Sequence, residues 1–170
     1  MLDNEVEAQP GHTIDQVKAA AQNSIHYRPN LVLINAGTND CRRQIDIPHA
    51  GDRMRSLIEM LLNAEGMERT TIILSTLIPS TEFSTALHRP EVNDQYRTLV
   101  RQMQREGVHI VLADMDPDVP SNASNQLSFP GDYTTHGVTD DTHPNEQGYR
   151  KMAHVWHKAV IDVSDRGFLQ

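Results

Sequence analysis

Cysteine is nearly absent from the 170-residue chain, and aromatic residues make up only 5% of it. The single cysteine, Cys41, excludes a disulfide framework within the chain and any metal site built from several cysteines. No apolar run approaches the roughly 20 residues that a membrane-spanning helix needs. Basic residues are also scarce, 15 against 23 acidic ones, which gives a net charge of −8. This charge argues against nucleic acid or an anionic membrane surface as the main partner.

The length predicts a single domain, residues 1–170, that can bury a sizeable core. Residues 1–5 lack the basic and apolar regions of a signal peptide. The sequence therefore indicates no compartment, and secretion is expected only if the full-length gene encodes such a peptide.

Three short apolar runs predict β-strands, at residues 31–34, 71–74 and 109–112. They are nearly continuous and rich in β-branched residues, which is typical of parallel strands buried on both faces. We expect the first two to be neighbours in the sheet. A weaker candidate lies at 4–8, where Val6 is the only strong strand former.

Helical patterns alternate with these runs. Apolar residues at helical spacing predict helices at 13–26, 54–62, 90–106 and 145–160. Strict alternation of strands and helices predicts an α/β fold, with a parallel central sheet between two layers of helices. A long irregular stretch, 114–142, lies before the last helix, where α/β proteins commonly build their sites.

Two polar segments carry candidate chemistry. Asn39, in the segment Gly37-Thr38-Asn39-Asp40 after the first strand, is either an ordinary turn residue or an amide donor to an oxyanion. The segment Asp140-Asp141-Thr142-His143-Pro144-Asn145 precedes the last helix. Its residues either cap that helix, or Asp140 orients His143 so that the second ring nitrogen can act as a base.

Taken together, the two segments resemble the SGNH (GDSL-type) hydrolase superfamily. Gly37 to Asp40 looks like the family's third block and Asp140 to His143 like its fifth, and Gly148-Tyr149 fits the usual continuation. The segment Gln9-Pro10-Gly11-His12-Thr13-Ile14-Asp15 is similar to the second block of the acetylxylan-esterase-like branch. The resemblance implies a flavodoxin-like three-layer α/β/α sandwich and no cofactor.

The resemblance also implies roles for individual residues. Gly11 would donate a backbone N–H, and Asn39 a side-chain N–H, to the oxyanion. His143 would be the general base and Asp140 would orient it. The expected reaction is hydrolysis of an acetyl or short acyl ester on a small molecule or polysaccharide, because the second block resembles carbohydrate esterases.

The chain departs from the family in one respect, because the Gly-Asp-Ser block that supplies the nucleophile is not found. None of its nine serines follows a Gly-Asp pair. The sequence therefore predicts an N-terminally truncated esterase domain that lacks the first strand and helix, has little activity, and exposes an apolar sheet edge. Two residues are candidate substitutes for the missing serine: Cys41, near Asn39, and Ser75, at a strand end.

Two other functions stay open at this point. One is a catalytically inactive relative that binds a carbohydrate or a protein. The other is a metal-dependent phosphoesterase, with a divalent ion held by Asp140, Asp141, His143 and His136, although these residues have no defined ligand spacing.

Overall fold

Three parallel strands form the central sheet, in the order β1-β2-β3. The computed structural model of the chain describes residues 7–118 and 127–169. The described strands of this sheet are β1 (Leu31–Ile34), β2 (Thr71–Ser75) and β3 (Ile110–Ala113). Leu31 pairs with Thr71, so the predicted neighbourhood and parallel direction of the first two strands are confirmed.

Helices cover both faces of the sheet. The described residues form α1 (Ile14–Ala21), α2 (Thr38–Arg43), α3 (Ala50–Leu62), α4 (Phe83–Arg105) and α5 (Glu146–Asp165), with short 3-10 helices at Gln22–Tyr27, Ile47–His49 and Gly131–Tyr133. Side chains of α1, α3 and α4 share one core cluster with Ile72 and Leu74, and side chains of α5 share the other with Ile73 and Val111. This confirms the three-layer α/β/α sandwich. None of the described helices combines the length and apolar character that crossing a bilayer requires.

Helix α4 begins earlier than its sequence pattern predicts, at Phe83 instead of Pro90. Proline suits the first turn of a helix and disrupts its interior, so it favoured a start at 90. The observed start is fixed by Glu82, whose carboxylate accepts the N–H groups of Ser84 and Thr85 at 3.1 and 2.8 Å. Glutamate is not among the usual N-cap residues, so this signal was missed.

The irregular stretch before α5 contains a hairpin that the sequence did not predict. Strands β4 (Thr134–Thr135) and β5 (Val138–Thr139) are antiparallel, and His136 and Gly137 between them have φ of 50° and 80°. Two positive φ values are typical of the tight turns that join such strands.

Of the weak strand candidate at residues 4–8, residues 4–6 lie outside the described residues, and residues 7 and 8 are not in a strand.

Within the described residues, strand β1 is paired on one side only. The N–H of Thr71 donates to the carbonyl of Asn30, so backbone groups alternate along β1 and those of Leu31 and Leu33 point away from β2. Leu33 is 46% exposed, so this strand leaves an apolar residue partly uncovered. An open, uncharged edge of this kind can accept a further strand.

Candidate active site

The segment before α1 presents a backbone donor. Gly11 has φ of 76°, in the left-handed region that favours glycine, and a Cβ there would lie 3.3 Å from Nη2 of Arg43. Among the described residues, no acceptor takes the N–H of Gly11. Thr13 precedes α1, and its N–H donates to Oε1 of Gln16 at 3.0 Å, which fixes the start of the helix.

Asn39 is brought against this segment by the turn that follows β1. The turn needs Gly37, because its φ is 120° and a Cβ would lie 2.6 Å from the Tyr96 hydroxyl. That buried hydroxyl donates to the carbonyl of Ala36 at 2.8 Å. Asn39 then lies in the first turn of α2, and its Nδ2 donates to the carbonyl of His12 at 3.1 Å. The two sequence-predicted oxyanion donors, Gly11 and Asn39, are therefore neighbours.

A fully buried carboxylate, that of Asp40, holds the two segments together. Its Oδ2 accepts the N–H of Ile14 at 3.0 Å, and its Oδ1 accepts Nη1 of Arg53 at 2.5 Å. Arg53 also donates to the carbonyl of Ile45 at 2.7 Å. The Asp40–Arg53 pair joins two different helices, and nothing in the sequence identified Arg53 as a partner of the site.

Asp140 and His143, for which the sequence predicts an acid–base role, are hydrogen-bonded to each other. Nδ1 of His143 lies 3.2 Å from each carboxylate oxygen of Asp140, and both side chains are exposed. The backbone N–H groups of His143 and Thr142 donate to Asp140 at 2.7 Å and lower the pKa of this carboxyl. Asp140 is therefore an anion at neutral pH, and its bond to Nδ1 favours the tautomer that leaves Nε2 free as a base.

Two layers of contacts support this loop. Ser80 and Thr81 both donate to the carbonyl of Asp141, at 2.7 and 2.9 Å. Asn145 caps α5 by accepting the N–H of Gly148 at 3.0 Å, and a Cβ on Gly148 would lie 2.6 Å from that of Pro144. Pro144, Asn145 and Gly148 therefore stabilise the backbone of the loop and the start of α5.

One ion pair links the two halves of the site. Nη2 of Arg42, in α2, lies 3.4 Å from Oδ2 of Asp141. The oxyanion donors and the Asp–His pair therefore lie at the same end of the sheet, beyond the carboxyl ends of the strands.

Neither substitute nucleophile has a suitable setting. Cys41 is fully buried, and burial, followed by the charge of Asp40, raises the pKa of its thiol to about 12. A reactive thiolate needs the opposite shift. Ser75 is also fully buried within β2, where its hydroxyl accepts Nδ2 of Asn35 at 2.7 Å.

The proposed metal ligands do not form a cluster. In the part of the chain that the structure describes, no three His, Cys, Asp or Glu side chains are grouped closely enough to hold a metal ion. His136 is exposed at the tip of the β4–β5 hairpin.

Comparison with known proteins is consistent with this architecture. The fold resembles a family 3 carbohydrate esterase of Clostridium thermocellum, with a TM-score of 0.71 and 20% identity over 99% of this chain and 74% of that one. A family 3 carbohydrate esterase of Talaromyces cellulolyticus gives 0.62 and 23% over 91% and 70%, and a GDSL-like lipase of Bacteroides thetaiotaomicron gives 0.62 and 19% over 89% and 72%. No curated protein sequence matches significantly. The family model described as GDSL-like lipase/acylhydrolase matches residues 2–151. The chain therefore belongs to the GDSL-like lipase/acylhydrolase family of esterase-type hydrolases.

Proposed function

We propose that the chain carries the oxyanion and acid–base parts of a serine esterase that removes acetyl or short acyl groups from a carbohydrate. The observation that carries this proposal is that the donor pair and the Asp–His pair lie at the same end of the sheet, linked by the Arg42–Asp141 ion pair. Gly11 offers an N–H without an acceptor among the described residues, Asn39 offers an amide, and Asp140 orients His143.

The proposed reaction follows from these positions. Nε2 of His143 takes the proton of an attacking serine hydroxyl, and the oxygen bonds to the ester carbonyl carbon. The negative charge on the carbonyl oxygen is stabilised by the N–H of Gly11 and the amide of Asn39. His143 then returns the proton to the departing sugar oxygen, and water releases the acyl group by the same steps.

The nucleophile is proposed to enter on a strand that pairs with the open edge of β1. Backbone groups of Leu31 and Leu33 face that edge, and Leu33 needs an apolar neighbour. A parallel strand there would end beside the turn that leads to Asn39. Such a strand would pair with the sheet edge and supply the serine nucleophile at the same place, consistent with an esterase domain that is longer at its N-terminus.

The carbohydrate part of the proposal is supported by two of the similar structures, which are carbohydrate esterases by name. The Gly11 segment, which resembles that branch in sequence, also carries the N–H that we propose as the backbone donor. An inactive relative that binds a carbohydrate or protein partner remains the alternative, because no serine within residues 7–118 and 127–169 is hydrogen-bonded to the imidazole of His143.

Hydrolysis of p-nitrophenyl acetate tests the proposal. The chain alone should show little turnover, because oxyanion stabilisation and binding without a nucleophile retain only on the order of 10³–10⁴ over water in a triad enzyme. A longer form, with a strand ending in Gly-Asp-Ser and a returning helix ahead of Met1, should gain several orders of magnitude.

His143→Ala in the longer form should abolish that gain, and His154→Ala, on the exposed part of α5, should leave it intact. A longer form that folds and gains nothing would favour the binding module. Normal enzyme rates from the 170-residue chain would show that a native side chain is the nucleophile.

A further inference from the structure

Arg43, the last residue of α2, lies directly against the proposed oxyanion site. Its Nη2 is 3.3 Å from the position that a Cβ of Gly11 would occupy. Because a Cα is about 1.5 Å from its own N and from its Cβ, the guanidinium lies within roughly 6 Å of the Gly11 N–H. From the sequence alone, Arg42 and Arg43 are expected to form a solvated face near the site entrance.

No described carboxylate neutralises Arg43. Its side chain takes part in no ion pair and no hydrogen bond within residues 7–118 and 127–169. The two carboxylates of the loop before α5 have other partners, since Asp141 pairs with Arg42 and Asp140 with His143. Arg43 is therefore an exposed cation at a site whose acids are engaged elsewhere.

We propose that Arg43 binds a carboxylate of the substrate, so that the site prefers esters of acidic sugars over esters of neutral ones. A guanidinium offers two parallel N–H donors that match the two oxygens of a carboxylate. The distance to Gly11 places this carboxylate on the esterified sugar or on its direct neighbour in a polysaccharide. The inference rests on the proposed function, because it assumes that Gly11 holds the ester carbonyl.

The overall charge of the chain does not favour such a ligand. A net charge of −8 repels anions at long range, but salt screens charges beyond about 8–10 Å at physiological ionic strength. The preference must therefore come from direct contact with Arg43, and it should disappear when that one side chain is neutralised.

NMR titration of the ¹⁵N-labelled chain with D-glucuronate, D-glucose and D-glucose 6-phosphate tests the proposal. The reporters are the backbone amide of Gly11 and the side-chain amide of Asn39. We expect glucuronate to bind more tightly than glucose, and Arg43→Gln to weaken glucuronate about tenfold, the loss of one charge-assisted contact. Arg43→Lys should recover part of the affinity.

The matched control is Arg69→Gln, which makes the same charge change on an exposed arginine just before β2, at the opposite end of the sheet. It should leave glucuronate binding unchanged. Equal affinity for glucose and glucuronate, no loss in Arg43→Gln, equal losses in both variants, or tighter binding of the phosphate would overturn the carboxylate assignment.

These outcomes can be separated from failure of the proposed function. If glucose and glucuronate bind equally and the longer form is active, only the preference for acidic sugars fails. If no sugar shifts Gly11 or Asn39 and the longer form is inactive, both proposals fail.

Discussion

Replacing Asp40 with alanine should lower the free energy of unfolding more than replacing any exposed charged residue would. The carboxylate is fully buried and pairs with Arg53 and with the N–H of Ile14. Its removal leaves a buried N–H without its acceptor, and a largely buried guanidinium whose remaining counter-charge is the exposed Asp15 carboxylate at 3.5 Å. Breaking a buried pair from one side costs about 3–5 kcal/mol, a large part of the roughly 5–15 kcal/mol that stabilises a typical domain.

Urea unfolding followed by circular dichroism measures this loss. The control is Asp141→Ala, which removes a half-exposed carboxylate from Arg42 and should cost less than about 1 kcal/mol. If Asp40→Ala does not fold, Asp40→Asn gives the answer, because its amide oxygen can still accept from Ile14. We expect about 1–3 kcal/mol for that variant. A loss in Asp40→Asn no larger than in Asp141→Ala would refute the reasoning.

Three further predictions follow from single contacts. Gly37→Ala should lose about 1–3 kcal/mol more unfolding free energy than Gly107→Ala. Both glycines have a positive φ, but only Gly37 faces Tyr96. Equal losses in urea unfolding would contradict this. Cys41 should react with Ellman's reagent at pH 8 only on unfolding, and fast reaction of the native chain would show that it is accessible. Hydrogen bonds from the Thr85 side chain and backbone lower the pKa of Glu82 in the folded chain. The stabilisation that the ionised Glu82 provides is therefore present above the unfolded pKa of about 4.3, and it is lost as the pH falls through the lower folded pKa. The stability difference between the native chain and Glu82→Gln should therefore shrink in acid, and a constant difference would rule out this cap.

The parallel sheet could be predicted because its signal is local. Continuous apolar runs at 31–34 and 71–74 leave few alternatives to strands covered on both faces. The start of α4 could not be predicted in the same way, since Pro90 looked like a first-turn residue and Glu82 is an unusual cap. The two-residue strands of the β4–β5 hairpin are too short to show any periodicity.

In the candidate site, too, residues in local motifs could be predicted, and contacts between distant elements could not. Asn39, Asp140 and His143 lie in short motifs with readable spacing, so they could be named from the sequence. The partner of Asp40, Arg53, lies on another helix, and the approach of the Arg43 guanidinium to Gly11 brings together residues 32 positions apart in the chain. Such contacts depend on how α1, α2 and α3 pack, and no local pattern in the sequence encodes them.

Labelling with a serine-directed fluorophosphonate, followed by mass spectrometry, shows whether any of the 170 residues is a nucleophilic serine. We expect no adduct on any of the nine serines of the native chain. In the longer form with a Gly-Asp-Ser strand, we expect one adduct, on the added serine, which is lost in His143→Ala. Stoichiometric, His143-dependent labelling of a native serine would contradict the account, because the nucleophile would then lie within the 170 residues.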